Sequence, residues 1–197
     1  AAKCCKEPNL EHAVAVATAV ELLHMASLIQ DDTIDEADMR RGRPTVNKIW
    51  GRDVAMLVGD FLFSKAAELT CQANDIRIIQ SYARASKDAS AGELSELLAN
   101  YDITVTEEQY MERIRAKTAS LFSTATETGG FVSSGTEEQI KALRDYGAKL
   151  GLAFQIVDDI MDFSSSASRA GKPVVHDLSQ GILTLPSILF IMQHPDN

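Results

Sequence analysis

The sequence is poor in the residues that make turns and strands. Its 197 residues include 11 glycines and 5 prolines, and aromatic residues amount to 6%. Because glycine and proline punctuate turns and aromatic residues favour strands, this scarcity argues against an all-β protein and favours an all-α fold. Hydrophobic residues at 45% and charged residues at 24% are typical of a folded globular protein and argue against disorder.

Cysteine is scarce as well. Cys4, Cys5 and Cys71 are odd in number and show no C-x-x-C spacing, which argues against a zinc site, a redox pair or a disulfide framework. Reduced thiols in a cytoplasmic protein are the simpler interpretation. The first eight residues contain no apolar core, so no signal peptide is predicted there.

Positive charge is in deficit. Nineteen Lys and Arg against 28 Asp and Glu give a net charge of -9, with a pI near 4.9. This sign is wrong for coating nucleic acid or anionic lipid, so any phosphate must be bound at a local site.

Residues 13–29 are apolar enough to suggest a membrane span, but Glu21 and His24 lie in their middle. We therefore expect a buried helix and no span.

Helical periodicity dominates the chain, and several apolar segments are separated by polar or glycine-containing stretches. The predicted helical segments are residues 11–35, 54–73, 75–99, 107–128, 137–163 and 182–193. Thr106 and Thr136 precede acidic residues, as helix N-caps do, and Gly129, Gly130 and Gly135 are predicted to end helices. Because no linker interrupts the pattern, residues 1–197 are predicted to form a single domain.

Two D-D-x-x-D motifs end apolar helical segments, Asp31-Asp32-x-x-Asp35 and Asp158-Asp159-x-x-Asp162. In a helix, positions i and i+4 point the same way, so each motif offers a compact patch of negative charge. Such a patch at a helix C-terminus is repelled by the dipole and needs a cationic partner. Carboxylate oxygens without cysteine indicate Mg²⁺ shared with substrate phosphates.

The alternative is that each motif is only a solvated helix end. Two copies weaken that interpretation, and basic residues follow both motifs: Arg40 and Arg41 follow the first, and Arg169 and Lys172 the second. If the motifs face each other across a bundle, they could hold metal ions while the basic residues bind a diphosphate. A calcium loop is excluded, because neither motif has the required alternation of acids and glycine.

His24 lies seven residues before Asp31, on the same face of the predicted helix. A core histidine without a ligand is the simpler interpretation, but this placement also allows a role in anion binding. Together with Glu21 it fits the E-x-x-H of di-iron bundles, yet that chemistry needs a second copy, which the sequence lacks.

At these residues the sequence resembles the trans-prenyl diphosphate synthases, the family that elongates isoprenoid chains. The resemblance covers almost the whole chain, with matching motifs in the family's order at residues 21–47, 59–63, 92–94, 117–118, 154–162 and 171–177. It implies an all-α, isoprenoid-synthase-type helical bundle around a central cavity, incomplete here at both ends. It also implies an enzyme that condenses isopentenyl diphosphate with an allylic diphosphate, and a homodimer.

The resemblance also implies roles for individual residues. Asp31, Asp35 and Asp158 are expected to ligate Mg²⁺ directly, with Asp32, Asp159 and Asp162 as supporting or further ligands. Substrate-binding positions carry over as Arg40, Lys117 and Lys172 for the allylic diphosphate, His24 and Arg41 for isopentenyl diphosphate, and Thr118 and Gln155 near the reacting carbons. The expected catalytic set is Asp31, Asp32, Asp35, Lys117, Thr118, Gln155, Asp158 and Lys172.

Product length is expected to depend on Ala26 and Ser27, about one helical turn before Asp31. In the family bulky aromatic residues there give short products, so these small side chains indicate geranylgeranyl or longer. The alternative is that they only allow close helix packing. Gln30 stands where many relatives have histidine, a difference expected to be tolerated.

Three other functions remain open. The protein could be a non-catalytic or regulatory partner subunit of a prenyl synthase, although intact aspartates in both motifs argue against this. A class I terpene cyclase or head-to-head coupling enzyme would share the metal chemistry. A metal-dependent phosphohydrolase, suggested by His176-Asp177, is the weakest alternative, because only one such dipeptide occurs.

Overall fold

The computed structural model describes residues 1–6, 8–164 and 175–194, and these are predominantly helical. The helices are α1 Leu10–Ile34, α2 Val46–Trp50, α3 Arg52–Cys71, α4 Ile76–Leu98, α5 Glu107–Ile114, α6 Ser120–Val132, α7 Glu137–Asp162, α8 His176–Ser179 and α9 Leu185–Gln193. A π-helical turn, Arg115–Ala119, joins α5 to α6. The predicted all-α class is confirmed. Arg169 and Lys172 lie outside the described residues.

A small hairpin follows α1, which the sequence did not predict. Strands β1 Met39–Arg40 and β2 Arg43–Pro44 are antiparallel, with Arg40 opposite Arg43. The two residues between them, Arg41 and Gly42, both have positive φ, 51° and 76°, as a two-residue type I′ turn requires. The hairpin reverses the chain directly after the first aspartate motif.

The chain divides into two compact units. Unit 1 comprises residues 1–86 and 124–144, and unit 2 comprises residues 87–123 and 145–197. The prediction of a single domain over residues 1–197 stays a prediction. The first aspartate motif belongs to unit 1 and the second to unit 2.

Unit 1 is built on close packing of α1 against α3. Buried alanines on both helices, among them Ala19, Ala26 and Ala55, leave room for the backbones to approach. A hydrophobic core cluster of the same unit includes Val16, Phe131 and Ile140. Among the described helices, α1 alone is long and apolar enough to cross a membrane by length and composition. The predicted absence of a span stays a prediction.

Unit 2 has its core around Tyr110, the largest fully buried side chain among the described residues. Its apolar neighbours include Val105, Ile114, Leu183 and Ile188. Helix α5 begins with a capping box, because Thr106 Oγ1 accepts from the Gln109 backbone N–H and the Gln109 side chain accepts from Thr106 N–H. The predicted N-cap at Thr106 is confirmed.

The predicted helix over residues 107–128 is wrong in two respects. The π turn interrupts it, and α6 continues through Gly129 and Gly130 to Val132. A Cβ on Gly130 would lie 3.1 Å from Ile140 Cγ1. This glycine therefore serves close packing between helices and does not end one.

Candidate functional site

The first aspartate motif lies at the C-terminal end of α1. Asp31 and Asp32 are in the last turn, and Asp35 is the C-cap, whose backbone N–H donates to the Asp31 carbonyl at 2.8 Å. Asp35 is exposed, Asp31 is half-buried and Asp32 is buried. Acids at this end of a helix oppose the dipole, so the structure must supply positive charge nearby.

Arg40 supplies that charge. Its Nε donates to both carboxylate oxygens of Asp32, at 2.8 and 2.9 Å. The β1–β2 hairpin returns the chain to the end of α1 and so brings the two side chains together. Arg41, in the turn, is exposed. In the structure, Arg40, which is predicted to bind diphosphate, is thus paired with Asp32, which is predicted to bind metal.

The other sequence-predicted residues of α1 lie on the two turns before the motif. His24 is half-buried, and its backbone carbonyl accepts a hydrogen bond from Ser27 Oγ at 2.8 Å. Ala26 is fully buried, whereas Ser27 is half-buried. Ser27 is therefore the more accessible of the two residues expected to set product length.

Gln30 fills the space left by a glycine of α3. A Cβ on Gly59 would lie 2.8 Å from Gln30 Cγ, and Gln30 Nε2 donates to Asp60 Oδ1 at 3.1 Å. The family-like segment at residues 59–63 is therefore packed against the residue that precedes Asp31. This contact gives Gln30 a structural place, in keeping with the expectation that the difference is tolerated.

The π turn of unit 2 carries Lys117 and Thr118, and two glycines from other helices pack against its backbone. A Cβ on Gly92 of α4 would lie 2.6 Å from Lys117 N, and one on Gly151 of α7 would lie 2.6 Å from Ala119 Cα. Only glycine allows such close approach. Single π turns inside helices often occur at functional sites.

Lys117 is bound by two glutamates of α4. Its Nζ lies 2.6 Å from Glu93 Oε2 and 2.5 Å from Glu96 Oε1. The other oxygen of Glu96 lies 3.6 Å from Nε of Arg113, whose side chain is buried. Sequence reasoning did not single out Glu96 or Arg113, although the i, i+3 spacing of the two glutamates predicts that both lie on one face of α4.

Thr118 begins a chain of hydrogen bonds that ends at Tyr110. Thr118 Oγ1 donates to Gln155 Oε1 at 2.7 Å, and Gln155 Nε2 donates to Asp159 Oδ1 at 2.7 Å. Tyr110 Oη donates to Asp159 Oδ2 at 2.6 Å. The predicted pair near the reacting carbons, Thr118 and Gln155, is thus in direct contact.

Burial governs the protonation of the inner members of this chain. Asp159 is 3% exposed, and this burial raises the pKa of its carboxyl, while the hydrogen bonds from Tyr110 and Gln155 act in the opposite direction. Burial also raises the pKa of Tyr110, with a further contribution from the carboxylate that accepts its hydrogen bond. The phenol therefore stays a donor. No motif in the sequence pointed to Tyr110.

The outer acids of the second motif differ from Asp159. Asp158 is exposed. Asp162 is half-buried, and its Oδ2 accepts from the Asp177 backbone N–H at 3.3 Å. On consecutive helical positions, Asp158 and Asp159 point about 100° apart, which explains why one faces outward and the other inward.

The donor set can be tested against a divalent cation. Asp32 and Asp159 are occupied by protein donors, and within the described ranges no three His, Cys, Asp or Glu side chains form a ready metal cluster. Asp31 with Asp35, and Asp158 with Asp162, also provide hard oxygen ligands, and Asp162 accepts from the Asp177 N–H as well. Since Mg²⁺ is usually held by one or two carboxylates together with water and phosphate oxygens, this donor chemistry fits such an ion.

Comparisons with known proteins bear on the family of this chain. The family model described as polyprenyl synthetase matches residues 1–197. The octaprenyl diphosphate synthase of Haemophilus influenzae is 43% identical over 183 residues, 93% of this chain and 55% of that protein. The all-trans-nonaprenyl-diphosphate synthase (geranyl-diphosphate specific) of Rhodobacter capsulatus is 40% identical over 188 residues, 95% of this chain and 58% of that protein.

Solved structures are similar in fold. The decaprenyl diphosphate synthase of Rhodobacter capsulatus has a TM-score of 0.86 at 38% identity, covering 95% of this chain and 61% of that one. The geranylgeranyl pyrophosphate synthase of Lactobacillus brevis has a TM-score of 0.91 at 32% identity, covering 98% of this chain and 61% of that one. The chain therefore spans less than two thirds of these relatives' length.

Proposed function

Because the chain belongs to the polyprenyl synthetase family, as its motifs predicted, we propose that the whole protein is a metal-dependent trans-prenyltransferase. It condenses isopentenyl diphosphate with an allylic diphosphate to give a longer trans-polyprenyl diphosphate. The observation that carries this proposal is the π turn, in which the cation of Lys117 directly precedes the hydroxyl of Thr118, itself bonded to Gln155. The cation of Lys117 stabilises a departing diphosphate. The oxygens of Thr118 and Gln155 stabilise an allylic carbocation.

The reaction breaks the bond between the allylic carbon and its diphosphate oxygen. The double bond of isopentenyl diphosphate then forms the new carbon–carbon bond, and the departing diphosphate takes the proton released. We assign Lys117, Arg40 and Lys172 to the allylic diphosphate, and His24 and Arg41 to isopentenyl diphosphate. Lys172 lies outside the described residues.

Asp31 and Asp35 of unit 1, and Asp158 and Asp162 of unit 2, are the residues proposed to hold metal ions, with Mg²⁺ as the ion that their oxygen ligands suit best. A divalent cation bound there would neutralise diphosphate charge and make the diphosphate a better leaving group. Asp32 is proposed to act by holding Arg40, in keeping with their hydrogen bonds.

The product is proposed to be geranylgeranyl or longer. Similar proteins are named octaprenyl, nonaprenyl and solanesyl diphosphate synthases, and the small side chains of Ala26 and Ser27 support a deep chain-binding site. Because Ala26 is fully buried, close helix packing alone also explains its size. Ser27 therefore carries this part of the proposal.

A second candidate concerns assembly. One relative, 39% identical over 178 residues, is named heptaprenyl diphosphate synthase component 2, from Geobacillus stearothermophilus. We propose a cytoplasmic homodimer, and the alternative is the role of one component in a two-component synthase. Assaying the purified protein alone distinguishes these two assemblies, since a homodimer needs no second, different protein for activity.

The experiment that tests the function uses the full-length protein with Mg²⁺, an allylic primer and labelled isopentenyl diphosphate. Extended labelled products on chromatography are expected. Free phosphate without extension, or a cyclic hydrocarbon, would contradict the proposal. A Lys117→Ala variant is the matched negative control, because it removes the cation of the π turn.

A further inference from the structure

The hydrogen-bonded chain from Thr118 to Tyr110 has a fixed direction. Both oxygens of Asp159 accept hydrogen bonds, Oδ1 from Gln155 Nε2 and Oδ2 from Tyr110 Oη, so the Gln155 amide presents Nε2 to Asp159. The amide oxygen then faces Thr118, whose single hydroxyl proton must be donated to it. Thr118 is left with oxygen lone pairs for any other neighbour.

That direction matters for the proposed reaction. A hydroxyl that directs its lone pairs toward a developing carbocation stabilises it, whereas one that directs its proton there opposes it. If the Gln155 amide were reversed, its NH₂ group would donate to Thr118 and consume a lone pair. The orientation of Gln155 therefore determines which part of Thr118 is available to the substrate.

Tyr110 holds the far end of this chain in place. Its side chain is 0% exposed, and its hydroxyl donates to the second oxygen of Asp159 at 2.6 Å. The Arg113 guanidinium lies 5.7 Å from the centre of its ring and donates to the Leu183 carbonyl at 2.5 Å. A tyrosine packed in this way has one orientation, and so does the carboxylate it contacts.

We propose that Tyr110 is a positioning residue that fixes Asp159 as an internal acceptor, and that Asp159 in turn orients Gln155 and Thr118 toward the reacting carbons. This inference rests on the proposed function. It also separates the two neighbouring acids of the second motif: Asp158 is a metal ligand, whereas Asp159 orients Gln155 and does not bind the metal.

The first test is Tyr110→Phe, which removes only the hydroxyl. Tyr82→Phe is the matched control, because the Tyr82 hydroxyl is also buried and donates at 2.6 Å, but to the Phe63 backbone carbonyl. In the full-length enzyme we expect Tyr110→Phe to lower kcat by about tenfold, with KM for both substrates changed by less than about twofold. Tyr82→Phe should leave both parameters unchanged within about twofold.

The second test measures metal affinity instead of turnover. The affinity for Mn²⁺ is measured by electron paramagnetic resonance in the presence of inorganic diphosphate, for the wild type, Asp158→Asn and Asp159→Asn. We expect Asp158→Asn to weaken Mn²⁺ binding by about tenfold or more, and Asp159→Asn to bind within about twofold of the wild type while losing kcat.

The outcomes are separable. If the wild type is active and Tyr110→Phe has an unchanged kcat, the inference is overturned. It is also overturned if Asp159→Asn weakens Mn²⁺ binding as much as Asp158→Asn does. A wild type that elongates no primer overturns the proposed function, while the Mn²⁺ comparison still decides the role of Asp159. If Tyr110→Phe does not fold, as judged by thermal unfolding, the two asparagine variants decide the inference.

Discussion

Replacing Gly92 by alanine adds one methyl group at the tightest contact of the π turn. The new Cβ would lie 2.6 Å from Lys117 N and 2.9 Å from Lys117 Cα, where ordinary contact begins at 3.4 Å. Because the two nearest atoms belong to backbone, no side-chain rotation relieves the clash. Either α4 or the π turn must shift.

The size of the effect follows from two opposing terms. Overpacking a well-packed site costs about 1–3 kcal/mol, and alanine is favoured over glycine inside a helix by about 1 kcal/mol. We expect Gly92→Ala to lower the free energy of unfolding by up to about 2 kcal/mol. A shift of the turn also displaces Lys117 and Thr118, so we expect kcat to fall by about tenfold or more.

Gly130→Ala is the matched control. Gly130 is also buried in a helix, but its added Cβ would meet the side-chain atoms Ile140 Cγ1 and Leu143 Cδ1 at 3.1 Å. These side chains can move by a few tenths of an ångström, so the stability change should be less than about 1 kcal/mol, with kcat unchanged. Urea unfolding measures both variants. A Gly92→Ala protein as stable and as active as the wild type would refute this account of the π turn.

Three further perturbations are informative. Glu127 is 2% exposed and accepts hydrogen bonds from Ser81 Oγ and Arg84, each at 2.9 Å, and from Arg144 Nε at 2.6 Å. Glu127→Ala should lower the free energy of unfolding by about 2 kcal/mol, since both arginines can turn to solvent, and a loss below about 0.5 kcal/mol in urea unfolding would contradict this. Ser27→Phe should shorten the product, and an unchanged product length on chromatography would remove Ser27 from the chain-length site. The hydrogen bond from Arg77 lowers the pKa of Asp75, so the stabilisation from this pair is complete above the pKa of Asp75 in the unfolded chain and is lost as pH falls through its pKa in the folded chain. Arg77→Gln should therefore lower the free energy of unfolding at neutral pH by an amount that fades in acid, and a pH-independent difference would exclude this cause.

The sequence predicted the long helices and their polar ends well, because periodicity and capping are local properties. The α1 segment ending at the first motif and the N-cap at Thr106 are confirmed. The interruption of the predicted helix over residues 107–128 was not foreseen. The interrupted segment packs closely against Gly92 and Gly151, which lie far from the π turn in sequence and contact it only in the folded chain.

The functional site shows the same difference between local features, which the sequence predicts, and tertiary contacts, which it does not. The aspartates, Lys117 and Thr118 could be singled out by motif, and their assigned roles stay predictions. What the motifs could not give were their partners. Arg40 binds Asp32 because a hairpin turns the chain back, and Tyr110 reaches Asp159 because both are buried in one core. Such pairings are set by tertiary packing, which periodicity does not encode.

The two glutamates beside Lys117 have a consequence for anion selectivity. Because Glu93 and Glu96 already surround the ammonium group, and Arg113 lies beside the other oxygen of Glu96, the charges of these four side chains balance. A singly charged anion such as chloride gains little by approaching it, and a rise in ionic strength has little attraction to screen. Only a ligand that brings its own compensating cations can exchange places with the carboxylates. We therefore expect Lys117 to discriminate between metal-complexed diphosphate and bare anions, a filter built from charge balance and not from shape.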